Sequence, residues 1–161
     1  MQSLPGVSVS SEEIKKYVTE QFEARIRYSW TSGVAISRFL EGLKNKEIWG
    51  RKCNRCGRIV VPPRMYCEQC FRPNDEWVKL KDTGKVNTYS VAYVNADASR
   101  RKEPIIIAVI EIDGASPLMG ILHYLGEVQP DDVRIGMKVK AVWKDERKGS
   151  ILDIRYFKPI G

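Results

Sequence analysis

The residues of this chain best placed to organise chemistry are its four cysteines, Cys53, Cys56, Cys67 and Cys70, which form two Cys-x-x-Cys pairs with ten residues between them. Each pair can turn two thiolates onto one side of a tight loop. Two such loops joined by a hairpin present four soft sulfurs in the tetrahedral array that structural Zn2+ adopts. Gly57, directly after Cys56, supplies a residue tolerant of positive φ where such loops often need one. Four thiolates leave no open coordination position, so the spacing predicts a structural metal and not a catalytic one; iron is the other metal four sulfurs accept. Disulfides would demand an oxidising compartment, and a redox pair of the thioredoxin kind would need one Cys-x-x-Cys opening a helix. Two pairs among prolines and arginines fit neither.

Catalytic constellations are not apparent, and no catalytic residue is assigned. The single histidine, His123, is the one imidazole that any triad could recruit, and it sits inside the apolar run 118–125, where a packed or strand-edge role is the ordinary reading. Nucleophile elbow, Walker loop and dinucleotide fingerprint are all missing. The longest apolar run, 105–110, is far short of the ~20 residues that cross a bilayer. The opening residues carry no charged-then-apolar leader, so a soluble, unexported, cytoplasmic protein is expected.

Twenty-seven Lys and Arg against twenty Asp and Glu give a formal charge of +7, which suggests an anionic partner: a nucleic acid, a phosphorylated cofactor or an acidic protein surface. Most of the excess lies between 44 and 72, where eight cations meet two anions in the same segment as the cysteines. A zinc ion with four thiolates carries two net negative charges, so these arginines either offset the metal site or face an anionic partner. Arg51, Arg55, Arg58 and Arg64 are the candidate contacts.

Three segments must position these groups. In residues 1–46, Ser10 and Glu13 have capping-box spacing, and Ile14, Tyr17, Val18, Phe22 and Ile26 recur at helical intervals to about Arg27. A break at Thr31, Ser32 and Gly33 precedes a second apolar stripe, Ile36, Phe39, Leu40 and Leu43. The spacing predicts a helical hairpin with a thin core that needs a partner surface. Residues 47–80 hold short extended runs around the cysteines, ended by Pro62 and Pro63, and are too few to fold on apolar burial alone. Residues 81–161 contain five strand-like runs, 86–94, 105–112, 118–122, 137–143 and 150–157, which suit a five-stranded OB-fold barrel with its helix, or a degenerate turn of one, in the longer connection 126–136. The fold class expected is mainly β with an N-terminal helical hairpin, a zinc ribbon and the OB barrel.

An OB fold beside a basic ribbon invites a single-strand nucleic-acid reading, which needs aromatics and cations on strands two and three. As delimited from sequence, 104–113 and 118–122, those strands have neither, and they carry Glu111 and Asp113. Nucleic acid therefore ranks second, and this apolar strand pair is core or a protein-docking face. Arg100, Arg101 and Lys102 fall in the expected loop between the first two strands, and Tyr89, Tyr93, Trp143 and Tyr156 are expected to pack the barrel.

The order Cys53-x-x-Cys56-Gly57, Pro62-Pro63-Arg64, Cys67-x-x-Cys70, then Glu76-Trp77, Gly84-Lys85-Val86 with Thr88, and Ile135-Gly136-Met137-x-Val139 resembles the family first catalogued as domain of unknown function thirty-five. The resemblance covers the chain from about Ile36 and implies a helical hairpin, a rubredoxin-like zinc ribbon holding the metal on Cys53, Cys56, Cys67 and Cys70, and a C-terminal OB fold. It also implies a non-catalytic, acyl-CoA-associated protein that accompanies thiolases. In archaeal isoprenoid synthesis such a protein bridges acetoacetyl-CoA thiolase and hydroxymethylglutaryl-CoA synthase. The cationic ribbon would then meet the phosphates of coenzyme A, whose charge favours arginine forks.

Overall fold

The computed structural model describes residues 6, 9–17 and 26–161. The chain forms two compact units, Met1–Thr31 and Ser32–Gly161.

In the first unit, helix α1 spans Ser11–Ile14. The anticipated capping box is present: Glu13 N donates to Ser10 Oγ at 3.2 Å and Ser10 N donates to Glu13 Oε2 at 2.9 Å. These bonds hold the Glu13 carboxyl below its ordinary value. The helix is much shorter than the stripe predicts, since residues 26–30 have no helical structure; Val18 and Phe22 lie outside the described residues.

The second unit begins with helix α2, Gly33–Lys44, which buries Ala35, Phe39, Gly42 and Leu43 on one face. Gly42 is there for space: a Cβ would come within 2.4 Å of the Trp49 ring and 2.9 Å of the Glu47 carbonyl. Arg147 Nε donates to the Lys44 carbonyl at 2.7 Å and so closes the helix C-terminus from the far end of the chain.

The ribbon follows. Strand β1, Ile48–Lys52, pairs antiparallel with β2, Ile59–Val60, on one side and with β5, Glu76–Leu80, on the other. Between them β3, Tyr66–Cys67, and β4, Arg72–Pro73, form a small second ladder. Ser116 ties the ribbon to the barrel, accepting from Ile59 N at 2.9 Å through its hydroxyl and donating to the Ile59 carbonyl at 3.0 Å through its own N–H.

The barrel is built from β6, Thr83–Val94, β7, Arg100–Ile112, β8, Gly120–Leu125, β9, Lys138–Trp143, and β10, Ile154–Pro159. They close in the order β10-β8-β7-β6-β9, with β10 parallel to β8, which is the OB-fold arrangement. The helix of the longer connection is reduced to a 3-10 turn at Pro130–Asp132. One core joins all three parts of this unit, with Phe39 and Leu43 from α2, Ile48, Val61 and Leu80 from the ribbon, and Ile110, Val139, Ile154 and Phe157 from the barrel.

Two strand limits differ from those the sequence predicts. Strand β7 starts at Arg100, not at Pro104, so Arg100, Arg101 and Lys102 belong to a strand and not to a loop. Proline offers no N–H to a ladder and so looks like a strand start, but here it falls beside the register shift between Ala92 and Val94 of β6, where regular pairing is interrupted. Strand β8 runs on to Leu125 and brings Tyr124 onto the sheet. The β6–β7 hairpin thereby extends beyond the closed barrel, which leaves Tyr93 exposed where packing was expected.

Candidate metal centre and its surroundings

The two cysteine loops repeat one geometry. In the first, Gly57 N donates to the Cys53 carbonyl at 2.8 Å; in the second, Phe71 N donates to the Cys67 carbonyl at 2.9 Å. The residue after each pair takes the left-handed conformation, Gly57 with φ 75° and Phe71 with φ 49°. Glycine does this at no steric cost, whereas phenylalanine does it under strain.

These loops bring all four sulfurs within 4.8 Å of one another, with Cys56 Sγ and Cys67 Sγ 3.6 Å apart. Tetrahedral Zn–S bonds of ~2.3 Å would set the sulfurs about 3.8 Å apart, so the donor set fits the ion. Cys53 and Cys67 are buried, Cys70 is half-buried and Cys56 is exposed; none is in a disulfide. Protonation favours a cation too. The backbone N–H of Cys56, against burial and with help from that of Arg55, lowers the Cys53 thiol to about 7. Burial, and then the sulfurs of Cys56, Cys53 and Cys67, push the Cys70 thiol up to about 12. Such a cluster resists full ionisation unless a divalent ion offsets the crowded negative charge, and a coordinated thiol is deprotonated outright. When bound, the ion would fasten the two loops and supply no reactive position.

The four candidate arginines fall into different environments. Arg51 is buried, at 8% exposure. Its guanidinium donates to the Asn74 carbonyl, to Asp75 O at 3.4 Å and to Met65 Sδ at 3.0 Å, which holds the second loop against β1. It is therefore a fastener inside the ribbon and not a surface contact. Arg58 and Arg64 both reach Glu68, at 3.2 and 3.6 Å. Arg55 and Arg64 are both exposed, and Arg55 alone of the four makes no side-chain hydrogen bond or ion pair among the described residues.

Sequence reasoning missed the stack that locks α2 to the ribbon. Arg38 lies between the rings of Trp49, at 4.7 Å, and Trp77, at 4.6 Å, while Arg51 covers Trp77 at 4.8 Å. The alternation of cation and ring is favourable throughout. Its members come from α2, β1 and β5, so no linear spacing announces it.

On the barrel, β7 and β8 divide their apolar residues between two faces. Ile106, Ala108, Ile110 and Ile112, with Ile121 and Leu125, are buried; Leu122 is 65% exposed and Tyr124 is exposed beside it. Leu152 is exposed near them, so an apolar patch faces outward, while Leu118, 72% exposed at φ 64°, lines a separate cleft with Cys56, Gly57 and Arg58 of the ribbon. His123 points inward and is buried. Its Nε2 lies 3.1 Å from the Ile151 carbonyl, which can only accept, so the proton is on Nε2; Nδ1 then accepts from Tyr124 N at 2.9 Å. Both ring nitrogens are engaged by the chain's own backbone, and burial depresses the imidazole below its ordinary value. A neutral packing histidine results.

A ribbon stapled by four cysteines and leading into a five-stranded OB barrel defines a zinc-ribbon and OB-fold protein. Residues 40–76 match the rubredoxin-like zinc ribbon domain of ChsH2, and residues 77–144 its C-terminal OB-fold domain. Over 116 residues the chain is 35% identical to a DUF35 domain-containing scaffold protein of Methanocaldococcus jannaschii, covering 69% of this chain and 80% of that one. It belongs to the DUF35 family. A crystal structure of a DUF35-family protein of unknown function from Sulfolobus solfataricus superposes with a TM-score of 0.61 at 29% identity, over 80% of this chain and 85% of the other. A chain of the Ltp2-ChsH2(DUF35) aldolase shares the fold, with a TM-score of 0.59 at 22% identity, over 83% and 98%. A protein of Thermomonospora curvata named a probable enoyl-CoA hydratase alpha subunit is 26% identical over 105 residues, 65% of this chain and 32% of its own length. Among the described residues, no helix is long and apolar enough to cross a membrane.

Proposed function

We infer that the protein is a non-catalytic scaffold: it docks a thiolase-type enzyme through the outer barrel sheet and keeps a CoA thioester intermediate close to the next catalyst, which raises its effective concentration there. The observation that carries this reading is the outward apolar patch of Leu122, Tyr124 and Leu152, on the strand pair that an OB fold uses for recognition. The neutral, fully bonded His123 supports a positional role, since neither ring nitrogen is free to act as a base. A relative named a scaffold, another named an enoyl-CoA hydratase subunit, and an aldolase in the name of a structural neighbour agree with a partner enzyme that handles thioesters. Hydroxymethylglutaryl-CoA synthase is the second partner the family resemblance suggests. From the ribbon, Arg55, Arg58 and Arg64 face an acidic surface of the partner enzyme; Arg51, turned inward, leaves that set.

Purification from native extract at moderate salt tests the reading. A thiolase co-eluting in fixed ratio, and lost from a Leu122→Asp variant, is the expected result; the protein eluting alone or with nucleic acid overturns it. Salt gives an independent check, because phosphate-driven binding falls steeply as salt rises, whereas an apolar interface is far less sensitive.

A further inference from the structure

A cavity of about 690 Å3 opens at one end of the barrel where β7, β8 and β10 meet, and is lined by Ile105, Tyr124, Arg155 and Tyr156 among others. A second cleft of about 400 Å3, formed by Asn95, Arg100, Arg101, Lys102 and Glu103, adjoins it: Glu103 lines both. Between Arg101 and Ile106 the strand advances roughly 16 Å at ~3.3 Å per residue. The joined groove is thus too long for a lone phosphate.

Its chemistry changes along its length. At one end stand three consecutive cations. Arg101 is fixed there, donating to the Asn95 side-chain carbonyl and, at 3.3 Å, to the Glu103 carbonyl, with further N–H donors left over. Arg100 and Lys102 make no side-chain hydrogen bond or ion pair among the described residues, nor does Arg155 further along. The other end presents two tyrosines. Tyr156 is held in place, its hydroxyl donating to Glu127 at 2.7 Å while its ring lies against Gly126, where a Cβ would come within 2.6 Å. Lys158 lies 3.4 Å from the same carboxylate and offsets its charge. Unpaired cations beside fixed aromatic rings suit a ligand with phosphates at one end and a planar ring nearby.

We propose that this groove, and not the ribbon, binds the nucleotide end of a phosphorylated ligand, with its phosphates on Arg100, Arg101 and Lys102 and its base against Tyr124 and Tyr156. On the reading given above, that ligand is the thioester's coenzyme A, which carries an adenine nucleotide.

Calorimetric titration of the full chain with coenzyme A, ADP and pantetheine tests the assignment. Coenzyme A and ADP should bind and pantetheine should not, and affinity should weaken as salt rises. Arg101→Ala should weaken both nucleotides roughly tenfold, the scale of one lost charge-assisted hydrogen bond. Arg100 and Lys102 are exposed, so a double alanine variant there leaves the barrel intact and should add to the loss, while Arg55→Ala with Arg64→Ala leaves binding unchanged. Wild-type affinity in the Arg100/Arg101/Lys102 triple variant overturns the proposal, as does loss confined to the ribbon variants or tighter binding of oligothymidylate than of ADP. Thiolase co-elution is scored on the same triple variant. If it persists without nucleotide binding in the wild type, the groove assignment fails and the scaffold reading stands; nucleotide binding without any thiolase gives the reverse.

Discussion

The ribbon and the β6–β7 hairpin both carry dense positive charge, yet they use it in opposite ways. Within the ribbon, Arg51 is turned inward, Arg58 and Arg64 share Glu68, Arg72 meets Asp75 at 2.9 Å and Lys52 approaches Glu76 at 3.9 Å. At the hairpin, Arg100 and Lys102 have no such partners among the described residues. Exposed ion pairs contribute little stability, but each nearby carboxylate competes with an incoming anion. Charge density along the sequence therefore marks the ribbon, where Arg55 is the one candidate arginine without a side-chain partner among the described residues, whereas at the hairpin unpaired cations gather together. The same division runs through what holds each region together. The ribbon depends on sulfur, metal and guanidinium, and the barrel on apolar burial.

Removing the metal should separate the two regions most sharply. Structural zinc contributes on the order of 10 kcal/mol to the small modules that bind it. Cys67→Ala, or exhaustive chelation, should abolish one equivalent of bound metal. Hydrogen exchange should then accelerate first at Gly57 and Phe71, whose amides close the two cysteine loops, while the β7 amides stay protected. Simultaneous loss of protection in both regions would mean that the shared core makes them one cooperative unit.

Next in size is Arg51 set against Arg55. Arg51→Ala removes a buried guanidinium from the Asn74 and Asp75 carbonyls and from the Trp77 ring, and should cost about 2–4 kcal/mol in denaturant midpoint analysis. Arg55→Ala, at an exposed position with no side-chain partner among the described residues, should stay within about 0.5 kcal/mol. Equal effects would erase the distinction between inward and outward cations in the ribbon. Gly42→Ala probes the seam with α2: the added methyl meets Trp49 at 2.4 Å, and overpacking there should cost about 1–3 kcal/mol and shift tryptophan fluorescence as the Arg38 stack is displaced.

The parts of this arrangement that were legible in the sequence are those governed by short-range spacing. Cys53-x-x-Cys56 and Cys67-x-x-Cys70 announce two tight loops, Ser10 and Glu13 announce a cap, and the apolar, isoleucine-rich run 105–112 announces a strand, though not which of its faces is buried. What stayed hidden depends on long-range pairing. Arg51 and Asn74 are 23 residues apart, and only the fold sets the guanidinium under that carbonyl. Pro104 concealed the start of β7, because its missing N–H matters only where the partner strand calls for one, and the register shift in β6 removes that demand. With that start went the three cations, and with Tyr124, at the concealed end of β8, went the aromatic wall. The strands as delimited from sequence thus lack the cations and the tyrosine that bear on a nucleic-acid reading.

The smallest effect belongs to the barrel and should leave the ribbon untouched. His123 is kept neutral by burial beside Phe157, at 5.9 Å between ring centroids, with its Nε2 proton on the Ile151 carbonyl. Its folded-state value is depressed from the ordinary 6.5, so as pH falls through 6.5 the unfolded chain takes up a proton that the native barrel refuses. Stability from this group is intact above that pH and declines below it, until the pH reaches the lowered native value, by at most ~1.4 kcal/mol per pH unit. Protonation of the cysteine ligands also weakens the protein in acid, but it affects wild type and His123→Gln alike and cancels in their difference. The gap between the two in urea midpoint should therefore narrow from pH 7 to pH 5. A constant gap would mean that the imidazole charges freely in the folded state, and hence that the barrel around it is wetter than the apolar core described here allows.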